Sequence, residues 1–219
     1  MNGALPAIAL IGGTGDLGTG LARRWTAAGY PIILGSRSAA KAAEAAALLS
    51  GAVRARGLDN AAAAQAGEIV VVTVPFGSHT EILDQIRDAV AGKLVVDTTV
   101  PLMPPRVARV QLPPEDSAAV AAQKRLGDRA RVVAAFHNVA ALKLQKDMAI
   151  DCDVLVFGDD VKDRETVIAL AQAAGLRGLH GGPLANSTAT EALTSVLIGI
   201  NRTYKVDGAG IRITGIAQG

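Results

Sequence analysis

The stretch that decides the fold is Ala7–Gly18, AIALIGGTGDLG. A short apolar run without polar alternation leads into Gly13-x-Gly15-x-x-Gly18, and a helical pattern follows at once. A strand that is apolar on both faces belongs in a parallel sheet covered by helices. Each glycine then has its own role. Gly13 allows the tight turn, Gly15 lets a pyrophosphate approach the backbone, and Gly18 lets helix pack closely against strand. Phosphates held there would meet free amides and the positive end of a helix dipole. The stretch predicts a dinucleotide-binding α/β fold.

Outward from this turn, two patterns alternate along the chain. Strand-length apolar runs cover Ala7–Ile11, Ile32–Gly35, Ile69–Val74, Leu94–Thr98, Val132–Phe136 and Val154–Phe157. Helical spacing covers Gly18–Ala28, Ala39–Leu49, Ser78–Val90, Asp163–Ala174 and a long segment within Ala185–Tyr204. The alternation predicts βαβ units in a Rossmann-type, doubly wound, mainly parallel sheet. Pro101–Asp116 contains five prolines and reads as a crossing loop, placed after a strand end where it can wall a site. A boundary near His180-Gly181-Gly182-Pro183 divides the expected dinucleotide-binding domain, residues 1–180, from a small, mostly helical C-terminal domain, residues 181–219, that closes the cleft.

Composition narrows the classes of partner. Of 219 residues, 50% are hydrophobic and 19% charged, with a net charge of +2, which points away from disorder and from a nucleic-acid surface. The densest basic spot, Arg23-Arg24, is too short to hold a polyanion alone. The single cysteine, Cys152, has no partner for a disulfide and no metal-type spacing, which fits a reducing cytoplasm. We expect no metal, no membrane span and no secretory leader, hence a cytoplasmic protein; the apolar runs stay below the ~18 residues a bilayer requires. A homodimer is expected because such folds commonly pair.

The second strand end selects between cofactors. An acidic residue there would accept the adenosine ribose hydroxyls of NAD. Instead the chain reads Leu34-Gly35-Ser36-Arg37, with Lys41 four residues on. Ser36 can donate to a 2′-phosphate, Arg37 offers a planar fork and Lys41 a point charge, so NADP is favoured. The next strand ends, Thr73-Val74-Pro75-Phe76 and Asp97-Thr98-Thr99-Val100-Pro101, face the same crevice and are candidates to hold the nicotinamide. A third end carries His137, placed to orient or polarise a hydride acceptor. His79 in a helix and His180 in a glycine-rich turn read as structural or solvated. Hydrolase chemistry has no nucleophile-elbow sequence to start from.

Taken together, GGTGDLGTGLA, GSRSAAKA, VTVPF, VAAFHN, VFGDD and GGPLANSTATEAL resemble the NADPH-dependent reductases of the deazaflavin coenzyme F420, in order and over nearly the whole chain. The resemblance implies direct hydride exchange between NADP(H) and the deazaflavin, stacked in a cleft that the C-terminal domain closes. By position it places Thr14, Gly15, Asp16 and Leu17 along the pyrophosphate, with Ser36, Arg37 and Lys41 at the 2′-phosphate. It places Thr73, Val74 and Pro75 near the nicotinamide, and His137, Asn138 and Val139 beside the deazaflavin, with Leu184 and the C-terminal segment closing the pocket. Family members often have asparagine in place of Asp16 and proline in place of Ala140. Two other readings share the same glycine turn. One is a reductase of another acceptor, FMN, FAD or a small molecule, since membrane ferric reductases have a similar NADP-binding half. The other is a non-catalytic NADP-binding sensor.

Overall fold

The computed structural model describes residues 4–51 and 54–216. Eight strands form one sheet: β1 (Ile8–Ile11), β2 (Ile32–Ser36), β3 (Arg56–Asp59), β4 (Ile69–Val72), β5 (Leu94–Asp97), β6 (Arg131–Ala134), β7 (Asp153–Phe157) and β8 (Arg177–Gly182). Their spatial order is β3-β2-β1-β4-β5-β6-β7-β8. All neighbours run parallel except β6 and β7, which meet antiparallel through the single pair Ala134 and Phe157. Ile8 lies opposite Ile32 on one side and Ile69 on the other, so Ile11, Gly35 and Val72 finish level. The chain winds outward in opposite directions from β1 and β4. Their carboxyl ends therefore open a crevice, where open α/β sheets bind ligands.

Helices cover both faces: α1 (Asp16–Ala27), α2 (Ala39–Ala47), α3 (Asn60–Ala66), α4 (Phe76–Ile86), α5 (Ala118–Leu126), α6 (Ala141–Leu144), α7 (Val161–Ala173) and α8 (Ser187–Tyr204). Successive strand residues point to opposite faces, so β1 feeds two cores. Ile8 and Leu10 join Leu21, Trp25 and Phe136. Ala9 and Ile11 join Val70, Val72 and Leu83. Trp25 meets Phe136 edge to face with ring centroids 5.9 Å apart, and its indole N–H donates to the Leu170 carbonyl at 2.8 Å. Burying such rings contributes on the order of 2–3 kcal/mol each, and the indole donor finds a partner as buried tryptophans usually do. Ser38, Asp59, Ser117 and Asp160 accept from the first-turn amides of α2, α3, α5 and α7, which sets where those helices begin.

All six expected strands are present, and Pro101–Asp116 crosses between elements without regular structure, as expected. Two strands and three helices escape the apolar pattern: β3, β8, α3, α5 and the four-residue α6. β3 reads Arg-Gly-Leu-Asp and β8 reads Arg-Gly-Leu-His-Gly-Gly, because both are edge strands with half-solvated faces. Their glycines serve close packing. A Cβ on Gly57 would fall 2.1 Å from the Ala42 backbone, and one on Gly181 would strike the Phe157 ring. The expected boundary at 180/181 falls within β8. Beyond it, the helical C-terminal region is α8 followed by an irregular tail. That tail docks on β7, the Asp153 amide donating to the Ile211 carbonyl and the Ile213 amide to the Asp153 carboxylate. Among the described residues, no helix is long and apolar enough to cross a membrane.

Candidate functional site

The turn from β1 into α1 is held from three sides. The Gly13 amide donates to the Gly35 carbonyl at 2.9 Å, the Gly15 amide to Gly12 at 3.2 Å, and the Gly12 amide to Asn60 Oδ1 at 3.3 Å. The left-handed residue is Gly12, at φ +74°, so the sharp bend falls one residue before the position the motif suggests. Gly18 packs as the motif suggests, since a Cβ there would lie 2.7 Å from Gly13 Cα. Around Gly15 there is room, and Thr14, Gly15 and Asp16 are exposed. No side chain caps α1, whose N-terminal amides face this open ground.

A cleft of about 850 Å³ runs from this turn along the strand ends, within the volume range of small-molecule sites. It brings together Thr14, Gly15, Asp16, Leu17, Ser36, Arg37, Thr73, Val74 and Pro75, and Thr98–Val100 with Leu102, Pro104 and Val107 of the proline-rich crossing. Ser36 Oγ accepts from the Ser38 amide at 3.3 Å, which leaves its hydroxyl proton to donate outward. Gly13 and Gly18 lie buried under the turn, and Lys41 is exposed on α2, outside the lining. A groove of similar size, about 900 Å³, lies against α1 and α7 and contains none of the expected residues.

The residues expected around the acceptor are buried instead of lining this cleft. Leu184 sits in the same apolar layer as Val74 and Phe157. Val139 belongs to the opposite layer, and Asn138 donates to the Asp153 carbonyl at 2.8 Å. His137 Nδ1 lies 3.1 Å from Thr190 Oγ1, and its backbone carbonyl accepts from the Thr194 hydroxyl. Burial pushes the His137 imidazolium down to about 4 against the pull of the Asp97 charge, so the ring is neutral near pH 7.

Asn60, Ser78 and Glu81 also line the cleft and carry no signal in the sequence patterns. Of the buried carboxylates, Asp97 begins a strand end that the sequence singled out but is turned into the core, and Glu191 carries no signal of its own in the sequence. Asp97 ends β5, and its Oδ2 stands 2.6 Å from His79 Nε2; both residues are almost fully buried, so His79 is an ion-paired core residue. Burial opposes the charge on Asp97, yet His79 and the Thr99 N–H outweigh it and hold the carboxyl below its ordinary range. Glu191 of α8 accepts from the Ser117 hydroxyl at 2.7 Å and from the Ala118 and Ala119 amides. Burial still pushes the Glu191 carboxyl up.

Comparison with known proteins bears on the family and the fold. A family described as "NADP oxidoreductase coenzyme F420-dependent" matches residues 7–101, from the start of the glycine turn to the start of the proline-rich crossing. The F420-dependent NADP reductase of Methanocaldococcus jannaschii is 39% identical, across 95% of this chain and 98% of its own. That of Methanothermobacter thermautotrophicus is also 39% identical, across 96% of both chains. A crystal structure of a protein from Arthrobacter sp. FB24 shares the fold with a TM-score of 0.79 at 23% identity, over 94% of this chain and 98% of that one. The glycine turn, the Ser36-Arg37 corner and likeness along nearly the full length lead to one assignment: the chain belongs to the F420-dependent NADP reductase family.

Proposed function

We propose that the protein transfers a hydride directly between NADP(H) and the deazaflavin coenzyme F420. The observation that carries the reading is the cleft itself, which joins an open glycine turn, a Ser36-Arg37 corner and an apolar wall of Val100, Leu102 and Val107. The residues fit NADP: Gly15 leaves space for a pyrophosphate, and exposed Arg37 offers a bidentate fork beside the Ser36 hydroxyl. Lys41 adds a solvated charge from the same side. The nicotinamide, when bound, supplies or accepts the hydride. The chain's part is to orient two flat rings and exclude water, which suits a cleft whose described walls are mostly uncharged.

In this reading Thr73, Val74 and Pro75 face the nicotinamide, while His137, Asn138, Val139 and Leu184 border the deazaflavin. All four are buried, and His137 is held by Thr190 and Thr194 of α8, so contact between His137 and the acceptor requires α8 to shift. A cytoplasmic setting suits the lone buried Cys152. A homodimer is supported by the exposed stripe Val196, Ile200 and Tyr204 along one face of α8.

The test is NADPH oxidation followed against F420 and against FMN, with Arg37→Ala beside the parent protein. We expect rapid bleaching of oxidised F420 by the parent. The variant should lose its preference for NADPH over NADH by roughly 10- to 100-fold, the worth of one charge-assisted contact. Turnover with FMN alone would move the chain to another acceptor, and tight NADPH binding without any turnover would make it a sensor.

A further inference from the structure

The cleft wall contains a tie that the proposed hydride transfer does not explain. At its nicotinamide end the cleft runs between two short backbone segments. One is Pro75–Ser78, where β4 passes into α4; the other is Thr98–Val100, just past β5. Behind them lies one buried ion pair, His79 with Asp97 at 2.6 Å. His79 belongs to the first segment through its helix, and its ring lies stacked on Phe76 with centroids 6.4 Å apart at 25°. Asp97 belongs to the second, its other carboxylate oxygen accepting the Thr99 amide at 2.9 Å. Phe76 and Thr99 both line the cleft.

Stability alone is a poor reason for such a pair. Replacing a buried ion pair by well-packed apolar residues is often neutral or stabilising, because desolvation offsets the attraction. His79 also sits in the opening turns of α4, at the positive end of the helix dipole, where a cation is disfavoured. It is nevertheless held above its ordinary range: burial works against the charge, but Asp97 and, at longer range, Glu191 outweigh it. What the pair supplies that apolar packing does not is a fixed distance and direction between α4 and β5.

We propose that His79 and Asp97 are positioning residues that set the spacing and angle of the two backbone walls holding the nicotinamide ring. The inference rests on the NADP reading of the cleft, and its first readout needs no acceptor. The pair touches neither cofactor nor acceptor; it acts through Phe76 and Thr99. Adenine-side binding at Ser36 and Arg37 lies along a different part of the cleft and does not depend on it.

The decisive variant is the double substitution His79→Phe with Asp97→Asn, which removes the tie, leaves no unpaired buried charge and keeps an acceptor for the Thr99 amide. His79→Gln, which retains a hydrogen bond to Asp97, is the conservative partner. Three quantities are measured: affinity for 2′-phospho-AMP, fluorescence anisotropy of bound NADPH, and the hydride-transfer rate to F420 at saturation. We expect the double variant to bind 2′-phospho-AMP like the parent while nicotinamide anisotropy falls. The saturated rate should drop by about tenfold or more with little change in KM, and His79→Gln should recover most of it. Parent-like anisotropy and rate in a folded double variant overturn the proposal, as does an equal loss of 2′-phospho-AMP and NADPH affinity. Should the double variant not fold, His79→Ala, which removes the tie without adding bulk, decides by the same anisotropy: a parent-like value overturns the proposal, and a fall supports it. If the parent fails to reduce F420, the proposed acceptor falls, while the anisotropy comparison still decides the tie.

Discussion

The glycine turn and the polar seam under α8 both fix backbone around the crevice, and they are built over different distances in the chain. The turn's glycines are local, Gly12, Gly13, Gly15 and Gly18 falling within seven residues, while two of its three hydrogen bonds reach out to Gly35 and Asn60. The seam joins residues far apart: Ser117 to Glu191 across 74 positions, and His137 to Thr190 across 53. The turn works by absence of side chains, so that backbone can approach backbone and ligand. The seam works by presence, polar side chains pairing with one another away from water, with His137 Nε2 left without a partner among the described residues. A site can thus have one wall specified by what is missing and another by what is paired.

The largest effect should come from breaking the local wall. In Gly18→Val the new side chain meets Gly13 Cα and Thr73 Oγ1 at under 3 Å, distances that no rotamer relieves. We expect NADPH affinity to fall by at least about 100-fold, the equivalent of ~3 kcal/mol, in a titration of NADPH fluorescence. Unchanged affinity would remove the turn from the binding site. The seam should respond differently. Glu191→Ala leaves the Ser117 hydroxyl and the Ala118 and Ala119 amides without their acceptor. It should destabilise the fold by about 3 kcal/mol in denaturant unfolding while NADPH affinity is retained. Loss of affinity with no loss of stability would erase the distinction between the two regions.

A smaller effect sharpens the contrast through pH. The ordinary histidine value is 6.5, and the fold lowers that of His137 to about 4. The unfolded chain therefore takes up a proton below pH 6.5 that the folded chain refuses. Stability that His137 contributes above 6.5 is lost as pH falls toward 4, amounting to about 2 kcal/mol at pH 5. His79, Asp97 and Glu191 titrate in parent and variant alike, so the comparison of parent with His137→Phe isolates the histidine. Unfolding free energies at pH 7 and pH 5 should differ more in the parent by that amount; equal differences would mean that His137 is not held neutral.

What the sequence made legible follows the same division. β1, its glycines, β2 and the Ser36-Arg37 corner are recognisable because residues a few positions apart determine them. Six central strands are recognisable because helices bury both of their faces, which leaves an uninterrupted apolar run. β3 and β8 are not, because edge position leaves them polar and close helix packing makes them glycine-rich. His79 illustrates the remaining difficulty. Its helix position gives no sign that Asp97, 18 residues later, will face it after the chain has passed through another strand. Likewise, His137 was legible as a residue at a strand end, but its burial depends on Thr190 and Thr194 of a helix some fifty residues downstream. Pairing across the fold has no periodicity to reveal it.

The join between β6 and β7 has a consequence of a mechanical kind. Where every other neighbouring pair shares four or more rungs, these two strands share one, Ala134 with Phe157. The sheet is therefore a stiff plate of six strands with a two-strand flap hung on its edge, and shear across that join meets one rung instead of a ladder. The flap's footing lies in side chains: Asn138 gripping the start of β7, Phe157 in the apolar layer, and Trp25 donating to the backbone of α7 behind it. Because the C-terminal tail is docked on β7, any tilt of the flap carries that tail with it.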